Sequence, residues 1–353
     1  MRVKTWLLAV FILAGCSSNK KEKDFQKSLE NAPTTAPEVQ VEAPQPLLDK
    51  FEVEESSVPE AKPAPVANKH PQKKSPVSVK TPQKKTTAKA VVLEKPPAIS
   101  KLPADYPVGL VNLNSKAEKV WKSYRPNHVV GEKLMMDINY LGMTVGKIVV
   151  VNNGKKMING KEVWHFHSRF KSAPFYSNIY ELDDTVDTYV TTDQFLSIRY
   201  SLIQRETKQD VDDLQLHDRD QMKTFWFYKQ KKSDGTIRNK EKNAFIPFFS
   251  IDPFSVLFFY QGLPLKNGDL YEIPIINKSK ILVLKSEVEG RETIETEKGK
   301  ARAIRVHATT RYSGETLKSG DLYFWFSDDN RRTLLKAQAK IKIGSVTADI
   351  VKN

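Results

Sequence analysis

An all-β domain, mainly antiparallel, behind a long disordered N-terminal tether is the fold this sequence predicts. Three features carry the prediction. Apolar and polar residues alternate with period two near the C-terminus, from Leu335 to Ile343 and from Val346 to Ile350. Aromatic-rich runs of high strand propensity recur, as in "MKTFWFYKQ" and "DLYFWFSDD". A proline-rich, glycine-free stretch separates these from an apolar N-terminus. The expected architecture is a curved sheet, or an open barrel or sandwich, with one short buried helix and a short N-terminal helix.

The first element is an export signal. Arg2 and Lys4 precede an apolar run from Trp6 to Ala14. That run is too short for a bilayer span, which needs about 20 residues, and has the shape of a secretory signal. At its end, Leu13-Ala14-Gly15-Cys16 resembles the lipobox of bacterial lipoproteins, in which the cysteine becomes the first mature residue and carries lipid. Residues 1–15 therefore read as a lipoprotein signal peptide. Cys16 reads as the lipidation site, holding diacylglycerol in a thioether and fatty chains such as palmitate. Two chains already give stable attachment, at roughly 0.8 kcal/mol per buried methylene. Cys16 is the only cysteine, so no intramolecular disulfide forms. Ser17 is similar to the outer-membrane retention signal of enteric lipoproteins. The expected location is the outer membrane, facing the periplasm or displayed at the cell surface.

Residues 16–105 read as the lipidated cysteine and its tether. Proline recurs and aromatics are nearly missing, so this stretch has too little apolar area to offset chain entropy. Fully extended it would reach roughly 250 Å. Its charge is sorted, with glutamates in the first half and lysines, including Lys69, Lys73, Lys74, Lys84, Lys85 and Lys101, in the second. Like-charge repulsion keeps such blocks solvated. The lysine block is also the candidate contact for an anionic envelope polymer or lipid headgroups. Part of the +14 formal charge sits here, and export removes nucleic acid as a partner.

Residues 106–353 read as the β-rich domain. Ser115 and Glu118 form a capping-box pattern ahead of Val120, Trp121 and Tyr124, predicting a helix over 115–124. Strand alternation follows in Leu134-Met136-Ile138-Tyr140 and in Ile198-Tyr200-Leu202, and "NNGKKMINGKE" reads as a hairpin or two tight turns. The segment "SIDPFSVLFFYQGLP" breaks the period. Asp252 suits an N-cap, Pro253 the first turn and Gly262 the end, while Phe254, Val256, Leu257, Phe258 and Phe259 leave almost no polar face. A helix apolar all round is buried, here in the concave face of the sheet.

"GEKLMMDINYLGMTVGK", "SIDPFSVLFFYQG" and "LYFWFSDDNRRTLLKAQAKIKIGSVTADI" together resemble the bacterial domain of unknown function 3108 (DUF3108) over about residues 126–353. The family's motifs fall on Gly131-Glu132, on Asp252 with Ser255, on Trp325 with Asp329 and on Gly344-Ser345. Gln261 and Thr333 depart from it, where arginine and proline are common. The resemblance implies a mostly β, secreted envelope protein without an agreed activity.

Motifs for chemistry are sparse. His165 and His167 would share one strand face, as metal ligands do, but no second ligand cluster stands at the right spacing, so they read as polar-face histidines. "DVDDLQLHDRD" lacks the central glycine of a calcium loop and reads as a solvated loop beside an edge strand. Asp183, Asp184 and Asp187 read as a turn, and "SDDNRR" as a β-turn. No Gly-x-Ser-x-Gly, phosphate loop or Cys/His pair occurs. No catalytic residue, cofactor or metal site is assigned. The expected function is non-enzymatic: a binding, structural or assembly role in the periplasm, with Phe254, Leu257 and Phe258 as candidate ligand-facing residues for a lipid. The alternative is a hydrolase of cell-wall glycan or peptide, using the three aspartates.

Overall fold

A computed structural model describes residues 37–56, 102–312 and 321–351, together with Phe25, Ser28, Leu29 and Thr34. The signal peptide, Cys16 and the lysine block lie outside the described residues. In chain order the first half holds α1 (Gln45–Lys50), β1 (Glu54–Glu55), α2 (Val108–Ser123), β2 (Lys133–Tyr140), β3 (Met143–Ile158), β4 (Lys161–Ser172), α3 (Pro174–Ser177), β5 (Asp183–Thr191) and β6 (Ser197–Glu206). Then come β7 (Gln209–Asp218), β8 (Lys223–Lys232), β9 (Ile237–Phe245), α4 (Val256–Gln261), β10 (Leu270–Asn277), β11 (Lys280–Thr296), β12 (Gly299–Tyr312), β13 (Leu322–Ser327), β14 (Leu334–Lys340) and β15 (Ser345–Ile350). Among the described residues no helix is long and apolar enough to cross a membrane.

The strands form one open, antiparallel, 15-stranded sheet. Two meanders, β2 to β9 and β10 to β15, are joined where β15 pairs with β2, Ala348 opposite Ile138. The free edges are β9 and β10. The sheet curls until they meet: Ser279 Oγ, in the β10–β11 turn, donates to the Lys242 carbonyl of β9 at 2.9 Å. Beside it the Lys278 N–H donates to Gln215 Oε1 of β7 at 2.8 Å.

The inner face is filled by α2 and α4. The sequence of α4 predicts burial, and the structure shows it: Phe258 stacks on Phe166 of β4 with ring centroids 3.9 Å apart, and Phe259 packs on Trp121 and Tyr124 of α2 at 4.6 and 4.8 Å. Tyr260 reaches Phe324 and Phe326 of β13. Asp252 caps the entry, accepting the Phe254 and Ser255 N–H groups, each at 2.9 Å. Gly262 ends the helix because nothing larger fits. A Cβ there would lie 2.2 Å from Tyr124 Cε2 and 2.7 Å from the Arg125 carbonyl.

Four expectations are corrected. The N-terminal helix starts at Val108, after Pro107, so Ser115 lies inside it and bonds back to the Val111 carbonyl at 3.3 Å instead of capping. The acidic stretch from Asp210 is not a solvated loop but β7, an interior strand between β6 and β8. Asp210 is exposed, but three carboxylates of β7 are buried with a partner each: Asp212 with Arg205, Asp213 with Lys278, Asp218 with Lys50. The aspartates from 183 to 187 are not a turn but the start of β5. Finally, the tether is not unpacked throughout. Residues 37–56 lie on the outer face of the sheet, where Phe51 is 2% exposed among Ile158, Val163, Tyr189, Leu214 and Phe227. Valines and leucines spaced between the prolines (Val39, Val41, Leu47, Leu48, Val53) supply the apolar area that composition alone conceals. Of the two readings of "NNGKKMINGKE", a hairpin or two tight turns, the structure shows the hairpin: β3 and β4 join through Asn159-Gly160 at φ +50° and +70°. Gly154 falls at a bulge inside β3, between Asn152 and Lys155.

Candidate functional site

The inner face is not completely filled. Between the end of α4 and strands β2 and β3 lies a hollow of about 230 Å³. Its apolar lining comes from Leu134, Val150, Phe166, Phe258 and Ile350. Period-two geometry puts them there: Leu134 on β2 lies opposite Val150 on β3, and both side chains turn inward with Met136. The polar lining comes from the start of β2 (Glu132 and Lys133), the bulge of β3 (Asn152), the end of α4 (Gln261), the β11–β12 turn (Lys298) and the residue before β14 (Thr333). Glu132 is paired to Arg331 at 2.8 Å. His128, behind this wall, hydrogen-bonds Tyr124 OH through Nε2 at 2.8 Å. Burial lowers its pKa to about 4, against a partial rise from Gln261, so it is neutral at neutral pH. The hollow therefore has an apolar floor without a fixed charge from His128, and a polar lining that includes Glu132, Lys133 and Lys298.

A family model described as a protein of unknown function (DUF3108) matches residues 136–351, which hold most of this cavity's lining, while Glu132, Lys133 and Leu134 stand just before them. The chain belongs to the DUF3108 family. No curated protein matches it. Among solved structures it is similar to a β-barrel-like DUF1849 protein from Brucella abortus, at 11% identity and TM-score 0.39, covering 62% of this chain and 95% of that one. It is also similar to a predicted lipoprotein from Parabacteroides distasonis (10% identity, TM-score 0.30, 65% and 97% covered). A third is a predicted exported protein with a YmcC-like fold from Bacteroides fragilis (11%, 0.30, 64% and 96%).

Of the three candidate ligand-facing residues, Phe258 lines the hollow, while Phe254 and Leu257 are partly buried against the core. Gln261 and Thr333, the two departures from the DUF3108 pattern, both line it. Lys298 carries no signal in the sequence, and neither the Gly131-Glu132 motif nor the alternation through Ile350 shows that the β15–β2 pairing and the β11–β12 turn bring the three to one place.

The other candidates are dispersed through the DUF3108 domain. Asp183 is held by a bidentate ion pair to Arg169, both bonds 2.7 Å. Asp184, on the opposite face of β5, accepts Gln204 Nε2 and the Arg205 N–H, each at 3.1 Å. Asp187 meets the two histidines across the strand pair: His165 Nε2 and His167 Nδ1 lie 2.7 and 2.8 Å from its Oδ1. The three aspartates thus have separate partners and do not face one another across a cleft. Burial acts to raise the Asp187 pKa, but the hydrogen bonds from His165 and His167 outweigh it and hold the group below its ordinary value. An ionised carboxylate only accepts, so both ring nitrogens donate to it. Among the described residues this is the trio whose donor atoms could together hold a metal ion. A zinc ion would need each nitrogen stripped of its proton at about 2.0–2.1 Å, in place of two hydrogen bonds already made.

Proposed function

We propose that this DUF3108 protein is a lipid-anchored, non-enzymatic envelope protein that binds an amphiphile in the hollow beside Phe258. The observation that carries the reading is the hollow's composition, an apolar floor below a rim bearing Lys133 and Lys298. Its volume is below the roughly 300 Å³ at which ligand pockets usually begin, so it takes the end of one acyl chain and leaves the rest at the rim. The lysines favour an anionic head such as carboxylate or phosphate. In this reading Cys16 carries the anchor, Ser17 favours the outer membrane with the domain facing the periplasm, and the lysine block that includes Lys69 and Lys101 adds a contact to an anionic envelope polymer. Titration with a fluorescent fatty acid and with its neutral alcohol tests the site. The acid binds more tightly, and Lys133→Glu with Lys298→Glu removes that preference while leaving the alcohol's affinity unchanged. Equal binding of both probes, or binding indifferent to the double substitution, contradicts the proposal.

A further inference from the structure

The domain's position relative to the anchor follows from where the N-terminal residues are seated. Phe25 and Leu29, 8% and 2% exposed, pack on Met135, Val149 and Val351 at the outer face of the sheet. Thr34 gives its carbonyl to Asn153 Nδ2 at 2.6 Å. Further contacts follow along residues 37–56. The Gln40 N–H donates to Asp212 at 3.2 Å, and Arg199 Nη1 donates to the Phe51 carbonyl at 2.9 Å. Lys50 Nζ reaches the buried Asp218 at 2.6 Å, and β1 joins β3 with Glu54 opposite Met157. Buried apolar side chains, buried charges and strand pairing all hold this segment in one register.

From this seating we infer that the domain rides on a short leash, and that residues 57–101 lie outside the path from membrane to domain. The inference rests on reading Cys16 as the lipid-bearing residue. Only residues 17–24 separate Cys16 from Phe25. Fully extended, they reach about 30 Å, against the roughly 250 Å expected of a free tether. Ser56 and Leu102 are both described parts of the domain, so residues 57–101 connect two points of it and add no length between Cys16 and Phe25. The leash also has a direction. Met135, on which Phe25 sits, is about 7 Å of strand from Lys133 at the polar end of the hollow and about 17 Å from Tyr140 at the other end. The anchor point at Phe25 thus lies nearer to the hollow's rim than to the far end of β2, and a short leash keeps that end of the sheet nearer the lipid.

The test uses full-length protein purified from membranes and returned to phospholipid vesicles. Val130→Cys, at a position 41% exposed just before β2, carries a donor dye, and lipid headgroups carry the acceptor. Deleting residues 70–90 is expected to leave energy transfer unchanged. Inserting about 40 Gly/Ser residues after Lys20 adds roughly 35 Å of reach and lowers transfer about twofold or more. Phe25→Asp combined with Phe51→Asp unseats the segment and lowers it similarly. Transfer that rises on the deletion, or ignores the insertion, overturns the leash while leaving the anchor intact. Protein that fails to float with vesicles, or floats equally well as Cys16→Ser, removes the anchor and the leash with it.

Discussion

Asp252 and Ser197 are joined twice: Ser197 Oγ donates to the Asp252 carboxylate at 2.6 Å and accepts the Asp252 N–H at 2.8 Å. The pair ties the segment before α4 to β6. Thr188 Oγ1 of β5 adds a third bond at 2.6 Å, and Ser255 Oγ a fourth. Arg219, pushed down to about 9 by burial against the partial support of Asp252, donates to the carbonyls of Ser197, Phe248 and Ser250 around the same carboxylate. Removing the carboxylate strands several buried donors and a buried cation. Asp252→Ala is therefore expected to cost about 3–5 kcal/mol in urea denaturation. Asp252→Asn, which keeps one acceptor oxygen, costs less.

Asp184 gives a pH signature of defined sign. Burial, with Glu206 and Asp183 nearby, pushes its carboxyl up to about 7, against the lowering effect of the Gln204 and Arg205 hydrogen bonds. A carboxyl whose folded value lies above its unfolded one contributes stability that is complete below about pH 4 and lost as pH rises through 7. Asp184→Asn is thus expected to raise the Tm by several degrees at pH 8 and to leave it nearly unchanged at pH 4. A shift of equal size at both pH values would contradict the assignment.

His165, His167 and Asp187 predict insensitivity to metal. The two N–H donors and the carboxylate satisfy one another, and Tyr189 stacks on His165 at 4.4 Å. Zinc or a chelator is expected to leave the Tm where it was. Asp187→Asn is expected to cost about 3 kcal/mol. Asp187 stabilises most above its unfolded value near pH 4, and that contribution fades as pH falls further. Zinc that raises the Tm of the wild type and not of His167→Ala would show a metal centre instead.

Phe51 predicts local release. It is the most buried side chain of residues 37–56, and it packs directly on Ile158, Val163, Tyr189, Leu214 and Phe227 of the sheet. Phe51→Ala is expected to free residues 37–56 to amide exchange while β6 to β8 keep their protection, because segments with few buried contacts open separately. Equal loss of protection everywhere would mean that the segment is part of the main cooperative unit.

Much of the fold was legible because its period was unambiguous. The alternation from Leu335 onward marks β14 and β15, and the apolar run after Asp252 marks α4. Polar strands were not legible. Asp212, Asp213 and Asp218 read as solvent-facing because their partners Arg205, Lys278 and Lys50 come from turns, neighbouring strands and the N-terminal segment. The same applies to Asp187, whose histidines are legible as a pair but whose place between them depends on the β4–β5 register. The hollow was half legible. Phe258 announces a buried helix, but the helix ends short of Leu134 and Val150, and that gap is a matter of packing which no local pattern encodes.

The central claim, that the hollow beside Phe258 holds the tail of an amphiphile, is tested most directly by native mass spectrometry of membrane-purified wild type and of Val150→Phe, which fills the hollow. The account predicts a bound amphiphile on the wild type that disappears from the variant while its Tm is retained. A wild type that carries nothing, or a variant that carries the same mass, would contradict it.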